Sequence, residues 1–303
     1  MHNPEPFSCF PPEVLALMKR IGPVWSSNAR LHRDQTLQAL DPFLRAAPPG
    51  GVKITRDVAY GADPRQVMDL YRPAVAGPAP IVVFVHGGAF VRGNKQINEF
   101  VYGNVTTWFA RQGYLGVNME YRLAPGALYP SGIEDVAAVV RWLGESAPAH
   151  GGDPSRIFLM AHSAGGAHVA GYAYDPAQGH LGRGVRGVVL VSSRVRADAL
   201  PENPNAAAVR TYYGEDESLY DARSPVTHAG SGELPVFVAF AEFENPLLDV
   251  YSLELAWRRS QHMRRAPPVL RLRHHNHMSI VAHFNTEDEI LGRAILEFFE
   301  GCA

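Results

Sequence analysis

Ile157-Phe158-Leu159-Met160-Ala161-His162-Ser163-Ala164-Gly165-Gly166 decides the fold. Ile157–Ala161 has the unbroken apolar character of a buried strand, and Ala164–Tyr174 carries a helical pattern. Little chain is left for the turn between them, and Ser163 sits on it among small neighbours. So tight a strand-to-helix elbow holds a serine hydroxyl out from the backbone, where a nucleophile must be. Ala161 stands at the first small position of the G-x-S-x-G pattern and still lets strand and helix backbones approach closely.

Outward from this elbow, strands and helices alternate. Ile81–Val85, Leu115–Tyr121, Val185–Val191, Val236–Ala241 and Val269–Arg273 are further β-rich runs. Helical patterns fall near Glu99–Arg111, Ile133–Leu143, Pro246–Gln261 and Glu287–Phe299. Near-continuous apolar strands separated by helices predict a mostly parallel sheet covered on both faces. A leading hairpin, Thr55–Tyr60 and Val67–Tyr71 about the turn Gly61-Ala62-Asp63-Pro64, makes that sheet mixed and brings it to eight strands. The expectation is one α/β domain over residues 1–303. Residues 1 to about 50, broken at Pro11-Pro12, Pro23 and Pro48-Pro49, are helical pieces that pack on the sheet from outside as a cap. The stretch from Arg196 to about Gly232, rich in Pro, Asn, Asp and Ser, is an insertion that contributes to it.

The 28 basic and 30 acidic residues nearly cancel, and no basic run carries interleaved aromatics, so nucleic acid and anionic membrane are not expected partners. The cluster Arg258, Arg259, Arg264, Arg265, broken by His262 and Pro267, is expected on a solvated helix face. Cys9 and Cys302 form neither a CxxC nor a zinc spacing and are expected as reduced thiols. Met1–Pro6 lacks the basic and apolar regions of a secretory signal, and no apolar run approaches a membrane span. A cytoplasmic protein is the expectation.

In open α/β sheets, ligands bind at the carboxyl ends of the strands. Ile81–Val85 runs into His86-Gly87-Gly88-Ala89-Phe90, whose paired glycines let the backbone curl with N–H groups converging. Gly87, Gly88 and Ala164 are the expected oxyanion-hole donors, with His86 bonding loop backbone to set the curl. A serine needs a base, and in this chain order the base is a late histidine. His274-His275-Asn276-His277 offers three. His277, followed by the helical start Ile280-Val281, is preferred to His275 and then His274. The H-x-H spacing also suits a metal, but no third ligand at fixed spacing accompanies it, so neither metal nor cofactor is expected. The acid that orients the base belongs after Val236–Ala241. Glu244, on the turn before Asn245-Pro246, is preferred to Glu242 and Asp249.

Together these residues resemble the α/β-hydrolase fold and, more narrowly, the hormone-sensitive-lipase-like carboxylesterases, over about residues 55 to 300. His86-Gly87-Gly88-Ala89-Phe90 matches that family's oxyanion motif. Tyr121-Arg122-Leu123-Ala124-Pro125, Tyr129-Pro130 and Asp135 are similar to its stretch after the fourth strand, and Gly151–Ile157 leads into its elbow. The resemblance implies a cofactor-free serine carboxylesterase with a helical cap, acting on small to medium esters through an acyl-enzyme. It also implies that Arg122 and Asp135 form a structural pair. Where the family commonly has Asp before Pro, this chain has Glu244-Asn245-Pro246. The hairpin from Tyr60-Gly61 to Asp69-Leu70-Tyr71-Arg72-Pro73 is similar to that of kynurenine-formamidase-like hydrolases, which keeps amide cleavage as the alternative. A catalytically inactive binder is set aside because all three triad positions are filled. Phe7, Phe10, Trp25, Phe90, Trp108, Tyr212 and Tyr213 are candidate pocket walls, and Glu287–Phe299 a candidate homodimer face.

Overall fold

The β-branched and aromatic runs form one mixed sheet in the computed structural model, which describes residues 6–48 and 50–302. The start of the chain, read above as no secretory signal, therefore lies outside the described residues except for Pro6. The strands are β1 (Lys53–Ala59), β2 (Val67–Arg72), β3 (Ala79–Val85), β4 (Leu115–Met119), β5 (Gly152–His162), β6 (Gly187–Val191), β7 (Val236–Phe243) and β8 (Val269–Asn276). Their order across the sheet is β1-β2-β4-β3-β5-β6-β7-β8. The β1–β2 and β2–β4 pairs are antiparallel and the rest parallel, which makes the sheet mixed in the way the hairpin predicts. The helices are α1 (Pro12–Ile21), α2 (Ala29–Ala46), α3 (Gly103–Arg111), α4 (Ser131–Ser146), α5 (Gly165–Tyr174), α6 (Ala206–Tyr213), α7 (Tyr220–Arg223), α8 (Leu248–Met263), α9 (Ser279–Ala282) and α10 (Ile290–Glu300).

Alternating side chains of the central strands feed two separate cores. Val83, Val85, Leu159 and Ala161 pack with α4 and α5 on one face. Val82, Phe84, Phe158 and Met160 pack with α1, α2, α3 and α10 on the other. Strands buried on both faces need no polar alternation, which is why they read as continuous apolar runs. Among the described residues no helix is long and apolar enough to cross a membrane.

Two expectations are corrected here, for Arg259 and for the aromatic pocket walls. Arg259 is not on a solvated face: it is 1% exposed and lies over the Tyr174 ring. It donates to the carbonyls of Ala229, Ser231, Gly232 and Leu234 at 2.9–3.0 Å. A turn that runs under a helix leaves buried carbonyls to satisfy, and a guanidinium carries enough donors to serve all four. The apolar side of α10 is spent on the core, where Leu291, Ile295 and Phe299 are buried and Phe158 stacks on Phe299 at 4.1 Å. Of the seven aromatics offered as pocket walls, Phe7, Phe10 and Trp108 fill the core on the α10 side, and Phe90, Tyr212 and Tyr213 cluster together. Only Trp25 lines the cavity described next. The inferred Arg122–Asp135 pair is present, with two bonds of 2.8–2.9 Å that tie the chain after β4 to the start of α4.

Candidate active site

Ser163 follows β5 directly at φ +54°, a left-handed conformation that costs a non-glycine residue about 1 kcal/mol or more. Its backbone is held in place from both sides: its N–H donates to Val191 O at 3.2 Å, and Arg194 N–H donates to its carbonyl at 2.8 Å. The two glycines after the elbow are there because nothing larger fits. A Cβ on Gly165 would stand 2.4 Å from Val85 O, and one on Gly166 2.2 Å from the Ser193 side chain. The start of α5 thereby closes onto the end of β3 and holds the serine at the sheet's rim.

The structure brings the three preferred residues together. Ser163 Oγ and His277 Nε2 are 3.0 Å apart, and His277 Nδ1 is 2.6 Å from Glu244 Oε2. An ionised carboxylate only accepts, so Nδ1 carries the hydrogen and Nε2 is left free to take one from the serine. Both side chains are nearly dry, the Glu244 side chain being 4% exposed. Its other oxygen, Oε1, accepts from Ala241 N–H at 2.8 Å and from the Ser192 hydroxyl. The His277 loop is pinned independently. His277 N–H donates to Phe243 O at 3.0 Å, and His162 Nε2–H donates to His277 O at 2.8 Å. Asn276 Oδ1 accepts from Met278 N–H and Ser279 N–H, and its amide donates to Thr36 of α2. Burial, with the neighbouring His277 second, holds the His162 imidazole well below its ordinary pKa, so it stays a neutral donor.

The alternatives are placed elsewhere. His275 is fully buried behind the loop, and His274 Nδ1 lies 3.8 Å from Glu242. Glu242 accepts from His274 N–H at 2.7 Å and pairs with Arg271 at 3.1 Å. Asp249 accepts from Val250 N–H in the first turn of α8.

Gly88 adopts φ +149°, and a Cβ there would lie 1.9 Å from Arg92 O, so the loop closes on itself only with glycine. Gly87, Gly88 and Ala89 line the same cavity as Ser163. His86 Nδ1–H donates to Gly87 O at 2.7 Å, as expected of a residue that sets the curl. Beneath it lies a buried carboxylate that sequence reasoning missed. Glu120 stands 3.3 Å from His86 Nε2, accepts from Lys95 N–H at 2.6 Å and pairs with Arg65. Burial works against its charge, but His86 and the remaining partners hold the carboxyl below its ordinary range.

A cavity of about 810 Å³ opens over Ser163 and His277. Trp25, Arg30 and Arg33 of the N-terminal segment wall it on one side, and Arg92, Pro204 and Asn205 on another. Trp25 is fixed by its Nε1–H to Asn245 Oδ1 at 3.0 Å, which ties the N-terminal segment to the turn that carries Glu244.

Residues 68–181 match the BD-FAE family model. The chain is 37% identical over 146 residues to carboxylesterase NlhH of Mycobacterium tuberculosis, covering 46% of this chain and 41% of that protein. It is 28% identical over 222 residues to the versiconal hemiacetal acetate esterase of Dothistroma septosporum, covering 71% and 62%. The matched regions thus span less than two thirds of these relatives' own length. Among solved structures it superposes on esterase B of Lactobacillus rhamnosis, bound to a tributyrin phosphonate, with TM-score 0.74, 23% identity and 95% of each chain covered. A bacterial heroin esterase superposes with TM-score 0.70 and 22% identity over 98% of each chain.

Proposed function

We propose that this chain, an α/β-hydrolase by fold, is a serine carboxylesterase that works through an acyl-enzyme. One observation carries this: Ser163, His277 and Glu244 form a continuous hydrogen-bonded chain at the floor of an open cavity. His277 Nε2 takes the Ser163 proton as Oγ attacks the ester carbonyl carbon. The oxyanion is held by the backbone N–H groups of Gly87, Gly88 and Ala164, each contributing about 3 kcal/mol at the barrier. Collapse breaks the bond to the alcohol oxygen, which receives the proton from His277. A water molecule then repeats attack and proton transfer on the acyl-serine, releasing the acid and restoring the serine. Glu244 keeps the imidazole in the accepting tautomer throughout.

The helical segment up to about residue 50 and the segment around 196–232 act as a cap, since both supply cavity wall. The wall carries Arg30, Arg33 and Arg92 and, among the described residues, no carboxylate. This supports small to medium esters, and among them those with a negative charge on the acyl or alcohol group. The relatives and neighbours above are esterases by name, which supports esters over formamides.

The test is hydrolysis of short p-nitrophenyl esters, phenyl acetate and N-formylkynurenine by wild type and Ser163→Ala, with fluorophosphonate labelling in parallel. Ester turnover and labelling that both vanish in Ser163→Ala are expected. A Ser163→Ala enzyme that turns over at the wild-type rate, or faster cleavage of the formamide than of the esters, would overturn the proposal.

A further inference from the structure

The catalytic loop has a buried cluster on its far side that the ester chemistry does not use. His275, His283 and Asp288 come from β8, the chain after α9, and the approach to α10, and they are 0%, 1% and 5% exposed. One ligating atom from each lies within 4.8 Å of the others. His283 Nδ1–H donates to Ser279 O at 2.8 Å, and His275 Nδ1 meets Ser279 Oγ at 3.2 Å. These bonds leave both Nε2 atoms pointing inward, and neither finds a hydrogen-bond partner among the described residues. His275 Nε2 stands 3.5 Å from Asp288 Oδ2, beyond a good hydrogen bond. The carboxylate otherwise accepts from Phe7 N–H at 3.0 Å and from Ile290 N–H at 3.4 Å.

Two orphaned ring nitrogens in a dry pocket are costly as they stand. A divalent cation removes both costs together and pairs with the Asp288 charge. The pattern is also that of metal-binding histidines, whose distal N–H is donated to a backbone or side-chain oxygen while the proximal nitrogen is left unprotonated. We propose that His275 Nε2, His283 Nε2 and the Asp288 carboxylate form a structural site for zinc, with water as fourth ligand. Two imidazoles and one carboxylate are a set that zinc accepts in tetrahedral geometry. Ligands about 2.0–2.2 Å from one zinc stand roughly 3.3 Å apart, so loading draws the side chains about 1.5 Å closer. A cavity of about 680 Å³, with Pro6, Ser8, Glu287 and Asp288 among its lining residues, reaches the Asp288 end of the cluster. The sequence offered only the H-x-H pair; the third ligand lies 13 residues beyond His275, and the second histidine is His283 rather than His277. The bound ion would brace the loop that carries His277 against the segment around Phe7.

The test uses full-length protein without an affinity tag, stripped with a chelator and titrated with zinc in competition with a chromophoric chelator. The expected result is one zinc per chain with submicromolar affinity and a raised thermal midpoint. His283→Phe and Asp288→Asn, checked for folding in chelator, should each bind at least about 100-fold more weakly. Zinc binding equal in wild type and a folded His283→Phe would overturn the site. Should either variant fail to fold, X-ray absorption on zinc-loaded wild type decides. Two imidazole nitrogens near 2.0 Å support the site, whereas a sulfur-dominated or single-imidazole shell refutes it. No catalytic assay enters, so this outcome is independent of the ester proposal.

Discussion

Glu244→Gln tests the proposed catalytic assembly more sharply than removal of the serine, because the structure dictates which way the new amide must face. Oε1 of Glu244 meets two donors, Ala241 N–H at 2.8 Å and the Ser192 hydroxyl. The glutamine carbonyl must keep that position, since a backbone N–H cannot reverse. Its NH2 group is thereby turned toward His277 Nδ1, 2.6 Å from the carboxylate oxygen it replaces. An amide donor there forces Nδ1 to accept and moves the imidazole hydrogen to Nε2, facing Ser163 Oγ. The base then presents a proton where it should take one. The same tautomer inversion in a serine triad costs about 10⁴ in kcat, or roughly 5.5 kcal/mol, and a loss of that order in kcat/KM is expected here. The assay is steady-state hydrolysis of a short p-nitrophenyl ester, with thermal midpoints showing that the variant is folded. Glu242→Gln serves as its control, because Glu242 is engaged with His274 N–H and Arg271, and it should stay within about threefold of wild type. A folded Glu244→Gln enzyme within tenfold of wild type would refute the reasoning, and a larger loss in Glu242→Gln would transfer the role to that residue.

Gly165→Ala places a Cβ 2.4 Å from Val85 O and 2.7 Å from His86 O, so the oxyanion loop must move. It should lose about 1–3 kcal/mol of stability and at least tenfold in kcat/KM, whereas Gly144→Ala on α4, with nothing within 4 Å, should gain a few tenths; equal behaviour of the two in melting and kinetics would show the elbow is not tight. Burial holds His162 well below its ordinary pKa and His168 down at about 3, so folded protein binds fewer protons than unfolded chain below the ordinary histidine value. Stability is therefore complete above about pH 6.5 and falls with acid, by roughly 1.4 kcal/mol per pH unit for each imidazole; a urea-unfolding free energy that is flat from pH 7 to 5 would contradict this. If Arg30 and Arg92 recognise charge, the double change to Ser should lower kcat/KM about tenfold for a dicarboxylic half-ester and leave its neutral dimethyl ester unchanged, with added salt blunting the difference; an unchanged ratio between the two substrates would show that the arginines are only solvated wall.

What could be read from the chain depended on how local each determinant is. The elbow is decided by ten consecutive residues, and the strand runs by their own composition, so both were legible. The choice between Glu242 and Glu244 was not, for a definite reason. Residues two apart share a face of a strand, so alternation treats them alike. What separates them is the register shift between Ala241 and Phe243, where β7 leaves its regular pairing with β8 and Phe243 comes opposite Asn276. Past that irregularity Glu244 folds back on Ala241 N–H, while Glu242 stays with β8. His275 and His277 pose the same problem, and the same break in pairing resolves it: His275 ends inside the sheet, and His277 follows the strand with its N–H on Phe243 O. The remaining supports were invisible because their partners are remote. Ser192 is 52 residues from Glu244, His162 is 115 from His277, and the carbonyls that Arg259 satisfies lie 25 to 30 residues before it. One local signal went unread, the Asn276 side chain, which accepts from Met278 N–H and Ser279 N–H two and three residues on. It would have placed His277 on a side-chain-closed turn and so favoured it on backbone grounds. The proposed acid and base are therefore both placed by one shared irregularity in the β7–β8 pair. A change that restored regular pairing there would displace both at once while leaving the serine elbow intact.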